Sequence, residues 1–376
     1  MAKDLTGYTV ICFSPNDWFG LQTSKQHLMR QFAKSNKIIY VEPVKEIFSV
    51  LGRRSRWYKF RRSRLVAPNI RVVSPVSVII HKRHKWIRQF NQHLKLFFLR
   101  RHLNPEQERY ILWAYNPSAH VYFSNLPAEL KVYFIADEYA AASGTVSPFI
   151  QSEEEKTLRQ ADIVFAITPE LADQKQRMNE NIHVARNAVD TSLFRPEQTY
   201  PVPEPLRHVS SPVIGYIGSF RHWVDVELIV KAANQIPEFR FVLAGPGLGQ
   251  HNFPENVTTV GKIPYEDVPK YISGFDVGII PFKNIEYARH ADPLKLYEYL
   301  ILGKPVVSIG VDSVTPVPGV VYTAATEDEF ISHLKVAWED RSESRDIAVE
   351  IGQQNSWEER TDFITKKLTG QLYATD

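Results

Sequence analysis

The sequence has little cysteine and no long apolar run. Cys12 is the only cysteine among 376 residues, which excludes an intrachain disulfide and a zinc cluster built from cysteines. No stretch approaches the roughly 20 apolar residues of a membrane span. The first 20 residues carry charges and turn residues where a signal peptide needs an unbroken apolar segment. We therefore expect a cytoplasmic protein, or one peripheral on the inner face of the cell membrane.

Charge is distributed unevenly along the chain. Residues 1–185 hold 27 Lys and Arg against 16 Asp and Glu, whereas residues 186–376 hold 18 against 26. The length exceeds what one hydrophobic core usually supports. Together these features predict two domains with different partners.

Short β-branched and aromatic runs alternate with amphipathic stretches, a pattern typical of parallel α/β layers. A proline-rich segment, Tyr200-Pro-Val-Pro-Glu-Pro205, separates two such series. We predict domains at 1–200 and 201–376, each doubly wound and Rossmann-like, with the last helix as a candidate to pack back on the first domain. Ligands of such sheets bind outside the carboxyl ends of the strands, so the expected site is an interdomain cleft. The predicted strands are Tyr8–Ser14, Ile38–Glu42, Ile70–Ser74, Tyr110–Tyr115, Val132–Asp137, Ile163–Thr168, Val213–Gly218, Phe239–Gly245, Val257–Val260, Val277–Pro281 and Val306–Ile309.

The most informative segment runs from Asp292 to Val307, DPLKLYEYLILGKPVV. Pro293 suits the first turn of a helix, whose amino end offers free N–H groups and a positive dipole to an anion. Gly303 ends that helix. Glu298 lies about one and a half turns inside it, among apolar neighbours; a solvated carboxylate on the helix face is the alternative interpretation.

This segment resembles the donor-binding signature of family-4 retaining glycosyltransferases of the group 1 type, which have the GT-B fold. The resemblance implies that Glu298 holds the ribose hydroxyls of a nucleotide and that Leu294 and Lys295 flank its phosphates. The family usually carries another Glu eight residues earlier, where this chain has His290. His290, Asp292 and Glu286 all remain candidates for contact with the donor sugar.

A second donor element is Gly215-Tyr-Ile-Gly-Ser-Phe-Arg-His-Trp-Val-Asp225, a strand followed by a glycine turn. The turn at Gly218 lets the backbone approach phosphates, and Arg221 can neutralise charge on a departing nucleotide. The family commonly places Arg and Lys where this chain has Ser219 and Val224. Arg221 and His222 are candidate substitutes, and a surface role for Arg221 is the alternative.

The first domain carries candidates for the acceptor side. The segment from Trp18 to Leu28 resembles that of glycosyltransferases which make teichuronic-acid-like and capsular polysaccharides, and Gly20 would allow close approach of the acceptor or of a donor phosphate. Asp137 follows the fifth predicted strand, where the family often has a catalytic or orienting His. A carboxylate there can hydrogen-bond the donor sugar or accept the acceptor proton; a helix cap is the alternative.

The first half of the chain also contains two basic segments with interleaved aromatic residues, 45–64 and 81–102. Each basic residue near an anionic leaflet adds about 1 kcal/mol, and aromatic anchors favour the interface plane. We expect these segments to meet an anionic membrane surface, with a solvated basic face as the alternative. No nucleic-acid module is recognisable, so nucleic acid is not an expected partner.

Together these features predict a hexosyltransferase-type glycosyltransferase. It would move a sugar from a nucleotide diphosphate sugar, UDP-sugar being favoured, to a polysaccharide or lipid-linked glycan, with retention. The resemblance and the lack of an Asp-x-Asp triplet imply no metal and no cofactor beyond the donor. The catalytic candidates are Asp137, Arg221 and His290. The alternatives are a GT-B-shaped sugar-nucleotide epimerase or phosphorylase, and a non-catalytic membrane-associated binding protein.

Overall fold

A computed structural model describes most of the chain, and its described residues form two compact units. The first unit holds the described residues up to Ala185 and those from Thr361 onward, and the second holds Arg186–Arg360. Each unit contains one large, mainly parallel sheet with helices, which confirms the α/β class. The described residues are 5–43, 45–46, 63–77, 90, 93–94, 96–97, 99–104, 106, 108–138, 147–207, 212–249 and 251–374.

The first unit is built on an eight-stranded sheet in the order β10-β9-β8-β7-β1-β2-β5-β4. Every neighbouring pair is parallel except β4 and β5. Strands β3 and β6 form a separate two-stranded pair. The strands are β1 Tyr8–Phe13, β2 Lys37–Val41, β3 Lys45–Glu46, β4 Ser63–Ala67, β5 Ile70–Val73, β6 Val76–Ser77, β7 Arg109–Ala114, β8 Leu130–Ile135, β9 Ile163–Ala166 and β10 Ile182–Val184.

The helices of this unit follow strands. Proline at the first turn and a hydroxyl N-cap start two of them: the Oγ of Ser147 accepts from the N–H of Ile150, and the Oγ1 of Thr168 accepts from that of Leu171. The helices are α1 Ser24–Phe32, α2 His120–Phe123, α3 Pro148–Gln160 and α4 Pro169–Lys175.

The second unit is built on a six-stranded parallel sheet in the order β13-β12-β11-β14-β15-β16. Its first strand is central, and later strands are added on one side of β11 up to β13 and on the other side from β14 onward, which is the strand order of dinucleotide-binding folds. Loops that follow these two strands therefore flank the topological switch point. The strands are β11 Val213–Ile217, β12 Arg240–Ala244, β13 Val257–Gly261, β14 Val277–Pro281, β15 Val306–Ile309 and β16 Val321–Ala324.

Helices of the second unit cover its sheet, and the final helix continues into the residues assigned to the first unit. None of the helices in the described ranges is both long enough and apolar enough to cross a membrane. The helices are α5 Val226–Gln235, α6 Val268–Ser273, α7 Glu286–Arg289, α8 Leu294–Ile301, α9 Glu327–Asp340, α10 Arg345–Gln354 and α11 Trp357–Ala374.

All eleven predicted strands are confirmed, with ends that differ by one or two residues. Three strands of the two large sheets lie outside those predictions: β4, β10 and β16. Each of the three is an edge strand of its sheet, and most of their residues are only partly buried. A strand of that kind lacks the fully apolar pattern that identifies a central parallel strand.

The division between the units falls between Ala185 and Arg186, whereas the sequence pattern placed it at residue 200. Residues after 185 belong to the second unit because they bond within it. The N–H of Asn187 donates to Asp292 Oδ2, and Val189 pairs with Ser356. The proline-rich segment is thus internal to the second unit.

Candidate active site

The loops after β11 and β14 are tied together at the switch point. The N–H of Asp225 donates to the carbonyl of Pro281 at 2.8 Å, and that of Lys283 donates to Trp223 at 2.7 Å. Val224 and Phe282 form an antiparallel bridge between them. Val224 is buried, so the position where a Lys was considered carries a packing residue. These bonds fix the predicted glycine turn relative to the segment that leads to α8.

Helix α8 is locked onto both central strands by Tyr299. Its hydroxyl accepts a hydrogen bond from the N–H of Ile217 at 3.0 Å. A Cβ on Gly278 would lie 2.4 Å from the Tyr299 ring, so only glycine lets β14 and the ring approach this closely. Pro293 precedes the helix, and Gly303 follows it with φ +68°. The amino end of α8 is therefore held at the carboxyl edge of the sheet, as the sequence predicts.

Lys295 brings a cation to the Gly218 turn. A Cβ on Gly218 would lie 3.1 Å from Cε of Lys295. Its Nζ lies 5.1 Å and 5.0 Å from the ring centroids of Tyr216 and Phe282. Although the residue as a whole is partly exposed, burial of this ammonium between the rings lowers its pKa to about 8. The predicted pair Gly218 and Lys295 is thus brought into contact, while Leu294 is partly exposed at the first turn of α8.

Glu298 is buried one turn further along α8. Its Oε1 accepts from the hydroxyl of Tyr265 at 3.1 Å, and 8% of the residue is exposed. Burial raises the pKa of its carboxyl group to about 7, against the hydrogen bond from Tyr265 and the charge of Lys295. Tyr265 had no place in the sequence prediction; the only signal for it was its position after Gly261-Lys-Ile-Pro264. A solvated carboxylate is the wrong description of Glu298.

The three candidates for contact with a donor sugar have different surroundings. Nε2 of His290 lies 3.2 Å from Oε1 of Glu286, whose side chain is half exposed. Asp292 is buried and held by internal partners: the N–H of Asn187 at 2.5 Å, the hydroxyl of Tyr297 at 2.9 Å and Arg186 at 3.7 Å. Burial raises its pKa despite Arg186. Asp292 therefore joins the start of α8 to residues 186 and 187. Of the other two candidates, His290 is buried and Glu286 is exposed.

Arg221 lies three residues beyond Gly218, with an exposed side chain. The turn itself is supported from below by the glycines after β12. A Cβ on Gly245 would lie 1.8 Å from the carbonyl oxygen of Gly218, and one on Gly247 would lie 2.7 Å from that of Phe220. Gly247 also has φ +89°. These glycines are structural, since they admit the backbone of the turn that carries Arg221.

In the first unit, Asp137 follows β8 and is about one-third exposed. Nζ of Lys25, on α1, lies 3.8 Å from Oδ2 of Asp137 and 5.3 Å from the ring centroid of Tyr115. Lys25 is buried, and the sequence prediction did not include it although it lies inside the Trp18–Leu28 segment. The neighbouring carboxylate of Glu138 is committed to Lys175, at 3.6 Å.

Gly20 is exposed in the loop between β1 and α1. That loop is held by buried polar groups. Glu42 accepts from the N–H of Trp18 at 2.9 Å and from the hydroxyl of Ser74 at 2.6 Å, and Nε2 of Gln26 donates to the carbonyls of Asp17 and Leu21 at 3.1 Å each. Glu42 is a positioning group that sequence reasoning missed. Most of the basic segments 45–64 and 81–102 lies outside the described residues.

Parts of the chain are similar to a known family and to a known protein. Residues 211–340 match the family model described as glycosyl transferases group 1. The chain is 30% identical over 225 residues to the putative teichuronic acid biosynthesis glycosyltransferase TuaH of Bacillus subtilis strain 168. That match covers 55% of this chain and 57% of the relative, so the chain spans little more than half the length of the curated relative it matches.

Solved structures resemble nearly the whole chain. A sucrose-phosphate synthase from Thermosynechococcus elongatus superposes with a TM-score of 0.76 at 15% identity, over 98% of this chain and 100% of the other. HepE of Anabaena, solved in complex with UDP and glucose, gives 0.66 at 13% identity over 96% and 100%. At these identities the likeness establishes the fold, which is GT-B, as the sequence resemblance implied.

Proposed function

Since residues 211–340 form a group 1 glycosyl transferase domain in a chain with the GT-B fold, we propose that this protein transfers a sugar from a nucleoside diphosphate sugar to a glycan acceptor. The observation that carries the proposal is the arrangement on α8: Lys295 lies against the Gly218 turn, and Glu298 is buried three residues later. One helix thus presents a cation and a carboxylate to the two ends of a nucleotide.

The diphosphate is proposed to bind at the amino end of α8. Free N–H groups of the first turn and the dipole favour an anion there. Lys295 adds a positive charge with few competing partners, and the Gly218 turn lets backbone N–H groups approach the phosphate oxygens. Arg221, exposed in the same loop, is proposed to stabilise the negative charge that develops on the departing phosphate.

The ribose is proposed to bind at Glu298. An ionised carboxylate accepts two hydroxyl hydrogen bonds, which relieve part of the cost of burying its charge. Tyr265 donates to Oε1 at 3.1 Å and so fixes the orientation of the carboxylate. UDP-sugar is the favoured donor, in keeping with the UDP held by HepE of Anabaena.

In the transfer step, the bond between the sugar C1 and the diphosphate oxygen breaks, and a bond from C1 to the acceptor oxygen forms. The proton of the acceptor hydroxyl passes to the leaving phosphate oxygen or to Asp137. His290, held by Glu286, is proposed to contact the donor sugar, and the reaction is proposed to proceed with retention. Lys295, Arg221 and the helix dipole supply the positive charge for the leaving group, so the proposal requires no metal.

The acceptor is proposed to be a polysaccharide or lipid-linked glycan, in keeping with the teichuronic acid role assigned to the Bacillus relative. The basic segments 45–64 and 81–102 are proposed to hold the protein at an anionic inner membrane surface. Among the described residues of the second segment, Phe90 and Phe97 are exposed, and the guanidinium of Arg101 lies 4.3 Å from the Phe97 ring centroid. Aromatic rings beside arginines are suited to an interfacial position.

Nucleotide binding tests this proposal directly. Calorimetric titration with UDP, GDP, ADP and dTDP should show one preferred nucleotide, and Glu298→Gln and Lys295→Met should each weaken it by about 10- to 100-fold, since each removes one charged interaction. Glu339→Gln and Lys335→Met, exposed positions on α9, are the matched controls and should bind as the wild type does. Equal binding by all five proteins would refute the assignment.

Turnover separates the proposal from the alternatives. A glycosyltransferase releases free nucleoside diphosphate when an acceptor is added, whereas an epimerase interconverts the donor without acceptor. Nucleotide binding with neither outcome would indicate a binding protein.

A further inference from the structure

Three aromatic rings lie together beyond the carboxyl ends of β11 and β14. The ring centroids of His222 and Trp223 are 5.0 Å apart, those of Trp223 and Tyr287 are 4.9 Å apart, and those of His222 and Tyr287 are 6.3 Å apart. We call these three residues the aromatic platform. His222 is exposed, and the other two are partly exposed. No step proposed above uses Trp223 or Tyr287.

The platform is rigidly supported. Trp223 packs against the core of the second unit, and its carbonyl accepts from the N–H of Lys283 at 2.7 Å. Tyr287 lies on α7, whose neighbouring residue Glu286 contacts His290 at 3.2 Å. The rings therefore come from the two loops that flank the switch point, and each loop is fixed by contacts that do not depend on the rings themselves.

Polar groups border these rings. Glu286 precedes Tyr287 on α7 and lies 3.2 Å from His290, the residue that follows this helix, and the exposed side chain of Arg221 precedes His222. Flat apolar faces bordered by a few hydrogen-bonding groups match the chemistry of a pyranose, which has C–H groups on its faces and hydroxyl groups around its edge.

We propose that the aromatic platform binds a sugar ring: Trp223 stacks on its C–H face, Tyr287, whose ring is tilted by 43° from that of Trp223, contacts the edge of the sugar, and the exposed carboxylate of Glu286, held by His290, accepts from its hydroxyls. The inference rests on the proposed function, because His222 and Trp223 lie in the same loop as Gly218, and Tyr287 lies in the segment that leads from β14 to α8. The sugar has two sources: the hexose of the donor, or a residue of the acceptor glycan.

The test uses the full chain and UDP, which is replaced by another nucleoside diphosphate if the protein binds that one more tightly. Calorimetric titrations compare UDP with UDP-glucose, UDP-galactose, UDP-N-acetylglucosamine and UDP-glucuronic acid, which reports the donor source. Titrations of the free hexoses and of maltose into UDP-saturated protein report the acceptor source. The proteins are the wild type, Tyr287→Ala, Trp223→Phe and Trp223→Ala, with Trp338→Ala as the control, a partly exposed tryptophan of the same unit packed on Phe239.

We expect the wild type to bind one UDP-sugar more tightly than UDP, or to bind one of the free sugars when it is saturated with UDP. We call this gain in binding the sugar increment. In Tyr287→Ala and Trp223→Ala the affinity for that sugar or UDP-sugar should fall by about fivefold or more, in line with the energy of a ring contact. Trp223→Phe should keep most of it, and every variant should bind UDP within about twofold of the wild type. Trp338→Ala should keep the whole increment even where its melting temperature falls.

The outcomes are separable. Normal UDP binding together with an unchanged sugar increment in Tyr287→Ala and Trp223→Ala, or with no increment in the wild type, overturns the platform and leaves the proposed function standing. Failure of the wild type to bind any nucleotide overturns both.

Discussion

One cluster of buried charged residues in the first unit differs from the charged residues of helix α8 in the second. In the first unit, the largely buried Lys175 lies 2.9 Å from Glu154 and 3.6 Å from Glu138, both buried, and the buried Lys25 lies 3.8 Å from the partly exposed Asp137. In the second unit, Lys295 and Glu298 lie on one helix without an ion pair to any described residue, and burial moves their pKa values to about 8 and about 7. Charges held in that state gain most from a ligand. We therefore propose Lys295 and Glu298 of the second unit as the nucleotide site, whereas Lys175 of the first unit is neutralised by carboxylates of its own unit.

Removal of the central cation in the first unit should produce the largest change. Lys175→Met leaves Glu154 and Glu138 buried without their cation, which we expect to cost about 3 kcal/mol or more in the free energy of unfolding. The charges of both carboxylates raise the pKa of Lys175 despite its burial. Urea denaturation measures the cost, with Lys156→Met as the control, since Lys156 pairs with Glu153 at 2.8 Å in an exposed position. A loss below about 0.5 kcal/mol would show that the cluster is not a stabilising ion network.

A second change should separate turnover from binding. Asp137→Asn keeps the shape of the side chain but removes its charge, so we expect turnover to fall by about 10- to 100-fold while nucleotide affinity stays within about twofold. Steady-state kinetics with an accepted donor and titration with UDP check the two parts. Asp162→Asn, at the amino end of the next strand of the same unit, is the control. A parallel fall in affinity would place Asp137 in donor binding instead.

The pH dependence of nucleotide affinity should give the smallest effect. Glu298 must be ionised to accept ribose hydroxyls, so affinity falls below about pH 7; Lys295 must be protonated, so affinity falls above about pH 8. The slopes should approach tenfold per pH unit outside this window. Ratios of wild-type to variant affinity cancel the ionisation of the nucleotide itself. Glu298→Gln should remove the acidic limb and Lys295→Met the alkaline limb; persistence of both limbs in both variants would contradict the assignment.

The raised pKa of Glu298 also makes the free energy of unfolding depend on pH. The folded-state pKa of Glu298 lies above its ordinary value of 4.5, so its burial destabilises the fold at pH above about 7 and ceases to do so below about pH 4.5. Buried charge is thus maintained at a cost where a ligand is expected.

The central parallel strands of both sheets could be predicted because they are buried on both faces, and that burial shows in the sequence as continuous β-branched runs. Helix α8 could be predicted as well, since Pro293 and Gly303 mark its ends. Glu298 was identified by the resemblance of this segment to a donor-binding signature, together with its place in that helix. In each case the information lies within about 15 consecutive residues.

The remaining features depend on contacts between distant segments. Tyr265 meets Glu298 across 33 positions, and Lys25 meets Asp137 across more than a hundred. Asp292 looked like a candidate for the donor sugar, yet Asn187 and Tyr297 occupy it from inside the fold. No local pattern distinguishes a carboxylate that faces a ligand from one that holds two segments together.

A crystal structure of the protein soaked with UDP tests the central claim most directly. The account predicts that the diphosphate lies at the amino end of α8 beside Lys295 and the Gly218 turn, with the ribose hydroxyls on Glu298. Density for the nucleotide at another place, with Glu298 still bonded only to Tyr265, would contradict it.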